Sequence, residues 1–348
     1  RSGDCIEVYI ECDFSAYQDN GSNVTETETW VVNMMNSVIS LYDDIDVPFV
    51  VSEVFIWDTV DPYQGETTLT TMRNAFMDEI QDGYNGRIAK LISTRPIGGG
   101  LSNGIGGLCG NYGDFPSPYA VSTDLEADYA LFPMYSYNIY VLAHEIGHII
   151  GARHTHACVW NGDNTQIDDC GNVYANDNGA TPEGLTCFDS DNPILPITGT
   201  IMSNCNLLPG VGIDFANGFH PSVVDQMQIS FLDADCVTGV VCATVTPSND
   251  NCLGAIELTA YDVCNPDIFD NYLATVSGIM PAFGCGNSTM SVDVWVRVLI
   301  PASGSITIET TDDGTLDDMT IQTYTGDCNN LIRVGCDENS GSGDHALI

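Results

Sequence analysis

The chain is poor in positive charge. Of its 348 residues only eight are Lys or Arg, against 48 Asp or Glu, and Lys90 is the single lysine. A formal net charge of −40 repels phosphodiester backbones and anionic membrane surfaces, so no nucleic acid is expected as a partner. No run of eighteen apolar residues occurs, and no membrane insertion is expected. Nor does the start at Arg1 carry a signal-peptide pattern, as expected of a mature or trimmed form. None of the 14 cysteines sits in a CxxC pair, which argues against a sulfur-bound metal and for disulfides made in an oxidising, extracellular compartment. The Gly-rich segment 98–107 lacks a following Lys-Ser/Thr and a helical pattern, which excludes a phosphate-binding loop.

What is present divides into two zones. With 44% apolar residues, 348 residues suffice for two domains with proper cores. Eight cysteines (Cys5, Cys12, Cys109, Cys158, Cys170, Cys187, Cys205, Cys236) precede a Val/Thr/Pro/Ser segment at 237–249, and six (Cys242, Cys252, Cys264, Cys285, Cys328, Cys336) follow. Both counts are even, as independent oxidative folding requires. If residues 6–12 form a strand, Cys5 and Cys12 lie roughly 23 Å apart and cannot bond each other. The acidic excess reads as calcium binding, as attraction of basic substrates, or as a solvated acidic surface; the last is favoured.

Residues 144–154 read His-Glu-Ile-Gly-His-Ile-Ile-Gly-Ala-Arg-His. On a helix, His144 and His148 share one face a single turn apart and can bind one metal ion. Glu145 lies about 100° around the helix, badly placed as a ligand but well placed to take a proton from a water. Gly151 can stop the helix at positive φ, letting the chain return His154 to the same ion. Three neutral imidazoles leave a fourth position open, the arrangement of a catalytic zinc site. The Gly and the third His lower accidental matches about six-hundredfold, given 34 Gly and 6 His in the chain. A buried helix whose histidines are merely hydrogen-bonded is the disfavoured rival.

Around this motif, Ile6, Val8 and Ile10 alternate with polar residues as a strand does. Trp30, Met34, Val38 and Leu41 mark a helix, 49–57 a strand, Leu69, Met72, Phe76 and Ile80 a second helix, and 88–93 a strand. This order predicts an α/β domain over 1–238 with a largely parallel sheet. The segment 98–107 suits an edge strand near a cleft. Ile139, Leu142, Ile146, Ile149 and Ile150 would anchor the motif helix, 155–200 reads as a disulfide-tied loop region, and 222–232 as a closing amphipathic helix. In the second zone, 249–348, the alternating stretches 292–300, 305–310 and 319–324 predict a smaller all-β sandwich. Asp312, Asp313, Asp317, Asp318 and Asp337 are candidates for calcium, with simple solvation favoured.

The motif resembles the metzincin zinc endopeptidases, H-E-x-x-H-x-x-G-x-x-H. Within them the stretches IEVYIECD, GLSNGIGGLCG and GTIMSNC over about residues 4–236 are similar to reprolysins, the snake-venom and ADAM-type enzymes. The resemblance implies a twisted, mostly parallel five-stranded sheet with the zinc cleft at its edge strand. It further implies zinc on His144, His148 and His154, a methionine turn at Met202, and substrate paired with the edge strand at Gly100, Leu101, Ser102 and Asn103. A Cys109–Cys236 disulfide is implied in the same way. The chain departs from reprolysins in placing Thr155 and His156 after the third histidine, where Asp is usual. Glu7 matches a family calcium ligand whose partners are missing, and Asn204 stands where some metzincins carry a tyrosine. The motifs NDNC at 249–252, DVWV at 293–296 and YTGDC at 324–328 resemble the pre-peptidase C-terminal domains of secreted bacterial peptidases.

The function expected is therefore a secreted, monomeric zinc endopeptidase acting on protein or peptide substrates, with Glu145 as general base. The alternatives are an inactive metzincin fold kept for adhesion, which the intact Glu145 disfavours, and a zinc hydrolase of non-peptide substrates.

Overall fold

Ile6, Val8 and Ile10 belong to β1 (Ile6–Cys12), which is buried on both faces and not only on the apolar one. The computed structural model describes residues 4–130, 132–181, 183–238, 249–261, 274, 293–310, 320–328, 330–337, 340–341 and 347–348. The chain divides into two compact units, Arg1–Ala243 and Thr244–Ile348. The segment 239–248 between them, like Cys242, Cys264, Cys285, Asp312, Asp313, Asp317 and Asp318, lies outside the described residues. No described helix is long and apolar enough to cross a membrane.

In the first unit β1 is followed by α1 (Phe14–Asp19), α2 (Val24–Asp43), β2 (Phe49–Ile56), α3 (Leu69–Ile80), β3 (Ile88–Ile92), β4 (Gly100–Ser102) and β5 (Tyr119–Ser122). The helices α4 (Tyr137–Ile150), α5 (Cys170–Asp177) and α6 (Pro221–Asp233) complete it. The sheet runs β2-β1-β3-β5-β4, with β1 parallel to β2 and β3, β3 parallel to β5, and β4 antiparallel at the edge. Helix α5 falls in the region expected to be loop; Cys170 at its start is bonded to Cys205.

One face of the sheet presents Tyr9, Ala89, Leu91, Tyr119 and Val121 to Met72 and Phe76 of α3 and to Tyr63. Burying a side chain such as Phe76 contributes about 1.5–3 kcal/mol. Glu11 is 1% exposed in the polar alternation of β1. Its carboxylate accepts from Tyr9 Oη at 2.8 Å, Trp57 Nε1 at 2.6 Å and Tyr63 Oη at 2.7 Å, which makes a buried charge tolerable. By strand alternation Lys90 faces the opposite side of the sheet from Ala89 and Leu91. It is fully buried, its Nζ makes no hydrogen bond, and burial lowers its ammonium to about 7.

Between described residues, the disulfides Cys109–Cys236, Cys158–Cys187 and Cys170–Cys205 fasten the first unit. Cys12 is free and fully buried at the end of β1, while Cys5 is disulfide-bonded elsewhere. The even parity of the first cysteine set therefore does not mean that every member pairs within it. A thiol packed into the core needs no partner, because a free Cys buries as a small apolar group.

In the second unit the described strands are β6 (Ile256–Leu258), parallel to β7 (Val296–Val298), and β8 (Ile321–Asp327), antiparallel to β9 (Asn330–Asp337). The expected strand at 305–310 is not a ladder; only Glu309 bridges, to Leu347. Cys252 is bonded to Cys328. Asp337, a calcium candidate from the sequence, accepts hydrogen bonds from Ser340 N at 3.0 Å and Leu347 N at 2.8 Å. That is the use of a turn carboxylate, and no calcium site is shown.

Candidate active site

The motif helix α4 is apolar on nearly every side, with Asn138 to Ile150 all buried. Gly151 ends it in the left-handed region at φ 113°, where the Gly151 N–H reaches His148 O at 3.0 Å and the Ala152 N–H reaches Gly147 O at 2.8 Å. The reversed chain brings His154 back against the helix. His154 Nε2 lies 3.2 Å from His148 Nε2 and 3.1 Å from His144 Nε2.

These short separations test whether a metal fits. His144 Nδ1 is 2.8 Å from the carbonyl of Ile201, and His148 Nδ1 is 2.8 Å from that of Ala152. A carbonyl only accepts, so both rings carry their proton on Nδ1 and turn an Nε2 lone pair inward. Burial, and then the neighbouring imidazoles, hold His144 and His154 well below the usual histidine range, which keeps those lone pairs free. Lone pairs crowded this closely repel unless a cation lies among them. Tetrahedral zinc with bonds of about 2.0–2.1 Å spaces its nitrogen ligands about 3.3 Å apart, so the donor set fits.

Below the three histidines, segment 199–205 is tied to the motif through its carbonyls. Ile201 O holds His144, Met202 O accepts from Thr155 N at 3.1 Å, and Ser203 O accepts from Tyr140 Oη at 2.9 Å. Met202 is fully buried. A Cβ on Gly147 would lie 2.8 Å from Met202 Sδ and 3.2 Å from Tyr42 Oη, so the motif glycine lets the helix settle on this turn. Tyr42, packed between Phe49 and Phe219, donates to Ala143 O at 2.7 Å beside His144. The sequence reading missed Tyr42 and Tyr140, since nothing local distinguishes them from core aromatics.

Glu145 is 5% exposed and its side chain lies against Gly100 of β4, near the Ser102 N–H. Burial raises its carboxyl, opposed by His148, Lys90 and that N–H. Along β4, Gly99 O and Asn103 N bond to β5, so the main-chain groups of Gly100 and Ser102 face the free edge. The carbonyl of Ser102 is already committed, accepting from Arg73 Nη1 at 3.1 Å. Asn103 lies past the strand, 6% exposed, with Nδ2 on Ser117 Oγ at 2.6 Å. Leu101 pairs with Val121 inside the sheet. Of the four expected edge residues, Gly100 keeps both outward main-chain groups without a partner among the described residues, and Ser102 keeps its outward N–H.

Gly100 is also where Glu145 rests, since a Cβ there would lie 2.5–2.8 Å from Cγ, Oε1 and Cδ of Glu145. Glu145 ends in a flexible carboxylate that can swing aside, so Gly100→Ala should cost little stability and should leave metal content unchanged. If Glu145 acts as the general base of a peptidase, the displaced carboxylate should lower kcat on a short peptide about 10²-fold, the scale of an ångström of misplacement. Unchanged kcat would show that Glu145 need not occupy this position.

Residues 3–187 match Reprolysin_5, the metallo-peptidase family M12. The snake venom metalloproteinase fibrolase of Macrovipera lebetinus is 29% identical over 153 residues, 43% of this chain and 72% of that protein. Among solved structures, metalloproteinase-II from Bacteroides fragilis aligns with TM-score 0.28 and 20% identity over 47% of this chain and 49% of its own. A chaperone–substrate complex aligns with TM-score 0.33 and 14% identity over 45% of this chain and 25% of its own. The chain thus spans less than half of each of these solved structures. The match over more than half the chain, on the stretch holding all three converging histidines, shows that this chain belongs to the M12 metallopeptidase family.

Proposed function

We propose that the chain is a secreted zinc endopeptidase whose metal is held by His144, His148 and His154, with Glu145 as general base. The observation that carries this reading is the convergence of three Nε2 lone pairs on one point, beside a buried carboxylate that is not among them. Zinc bound there supplies a Lewis acid that polarises the scissile carbonyl and lowers the pKa of a water. An extended peptide lies along β4 and pairs with the main chain of Gly100, as added strands pair with a sheet edge. Glu145 takes the proton of the attacking water and passes it to the leaving amine. Met202 and the carbonyls of its turn keep the ligands oriented from below. The disulfides and the absence of a membrane-crossing helix among the described residues support an extracellular setting. We further infer that 1–238 is the catalytic domain and 249–348 a separate β-rich domain of the pre-peptidase C-terminal kind.

One assay tests these readings together. The full chain and a chain ending near Val240 are given casein and a short peptide, with and without a zinc chelator. Both should cleave the peptide, lose turnover to the chelator and regain it with added zinc. Peptide cleavage indifferent to the chelator, or no cleavage by zinc-loaded protein, would overturn the peptidase reading. Loss of zinc on truncation would show that the two regions fold as one.

A further inference from the structure

Each of the first two histidines is oriented by a main-chain carbonyl, but the third is not. His154 Nδ1 faces the carboxylate of Glu183, with Oε2 at 2.5 Å. The same oxygen lies 3.6 Å from His156 Nε2, and Glu183 Oε1 lies 4.0 Å from Arg153 Nη1. Glu183 is 29 residues from His154 and belongs to no part of the motif. It is delivered by the loop that the Cys158–Cys187 disulfide closes, and the next residue, Gly184, donates its N–H to Asn172 Oδ1 at 2.9 Å.

His154, His156 and Glu183 could be taken for a second metal site, since their donor atoms lie within 4.8 Å of one another. The ring geometry argues against it. The two imidazoles are stacked, with centroids 4.7 Å apart and planes 13° from parallel, so their in-plane lone pairs run side by side and do not converge. His156 acts instead as a backing plate. It is 4% exposed and sits over Gly171, where a Cβ would come within 2.2–2.7 Å of its ring atoms.

We propose that Glu183 is the positioning residue of the third metal ligand. By accepting the Nδ1 proton of His154 it sets the tautomer that presents Nε2 to the metal, and its charge raises the basicity of that nitrogen. The stacked His156 limits rotation of the His154 ring. Because the disulfide-closed loop supplies Glu183, tight metal retention depends on a segment outside the motif. This inference rests on the three-histidine reading of the site.

The test uses the full chain stripped of metal and titrated with zinc against a chromophoric chelator. Wild type should bind one zinc and His148→Ala should bind none tightly; failure here would strike the three-histidine reading itself. Glu183→Ala should bind zinc about 10–100-fold more weakly, the usual effect of losing such a partner. Its cobalt-substituted form should show a visible spectrum altered from wild type. Glu183→Gln should recover most of the loss, since its amide oxygen still accepts from Nδ1. The metal-free variants should unfold at the wild-type temperature. Wild-type affinity in Glu183→Ala, no recovery in Glu183→Gln, or a general loss of stability would each overturn the proposal.

Discussion

Glu145→Gln should retain about one zinc per chain while losing about 10²–10⁴-fold in peptide turnover, the usual contribution of a general base. The separation follows from geometry. The three Nε2 atoms converge without Glu145, whose carboxylate turns toward β4 and lies against Gly100. A glutamine keeps the length and the acceptor oxygen, so it can hold the same place, but it cannot take up a proton. His148→Ala removes a ligand and should lose zinc and turnover together. Metal analysis beside kcat on one peptide distinguishes the two variants. Normal turnover in Glu145→Gln would end the mechanism proposed above, and loss of its zinc would make Glu145 a ligand.

Replacing both Cys109 and Cys236 by Ser should lower the stability of the first unit by about 4–5 kcal/mol. The bridge spans 127 residues, and in the chain-entropy model a loop of that length restricts the unfolded chain by about this amount. Cys109 is exposed, so a serine there strands no polar group in the core. At about 2–4 °C per kcal/mol for a domain of this size, the melting temperature should fall by about 8–20 °C. The bridge also steadies the wall of the site. It ties segment 103–117, whose Gly106 N–H donates to His148 O at 2.9 Å, to the chain just after α6. Thermal unfolding of the zinc-loaded variant measures the effect, and an unchanged melting temperature would show that native contacts alone hold the two segments together.

The parts of this protein that could be read from the sequence are those with short-range causes. The histidines at 144 and 148 share a helix face because four residues make about one turn, and the glycine at 151 stops that helix at positive φ. Apolar periodicity located β1, β2, β3, α2, α3, α4 and α6, since each buries a stripe or a face of its own sequence. The alternation in β1 marks a strand but does not say which of its polar side chains are buried: Glu11 is buried because Tyr9, Trp57 and Tyr63 together satisfy its carboxylate. Two of those partners are more than forty residues away in the chain.

The long-range features show the same limit. Cysteine parity cannot reveal that Cys12 is packed into the core without a partner, because pairing depends on the distance between Cα atoms and not on counts. The Gly-rich composition of 98–107 indicates an edge. It cannot say that Arg73 occupies the carbonyl of Ser102 while the outward main chain of Gly100 stays free. By itself the sequence determined which three histidines are candidates to converge, through helical spacing and a glycine stop, and the order of elements that carries them. Only the tertiary structure decided which lone pairs face inward. The protons of the imidazoles are placed by Ile201 O, by Ala152 O and by the carboxylate of Glu183. Two of these, Ile201 and Glu183, lie far along the chain from the rings they hold, and folding alone brings them within hydrogen-bond reach.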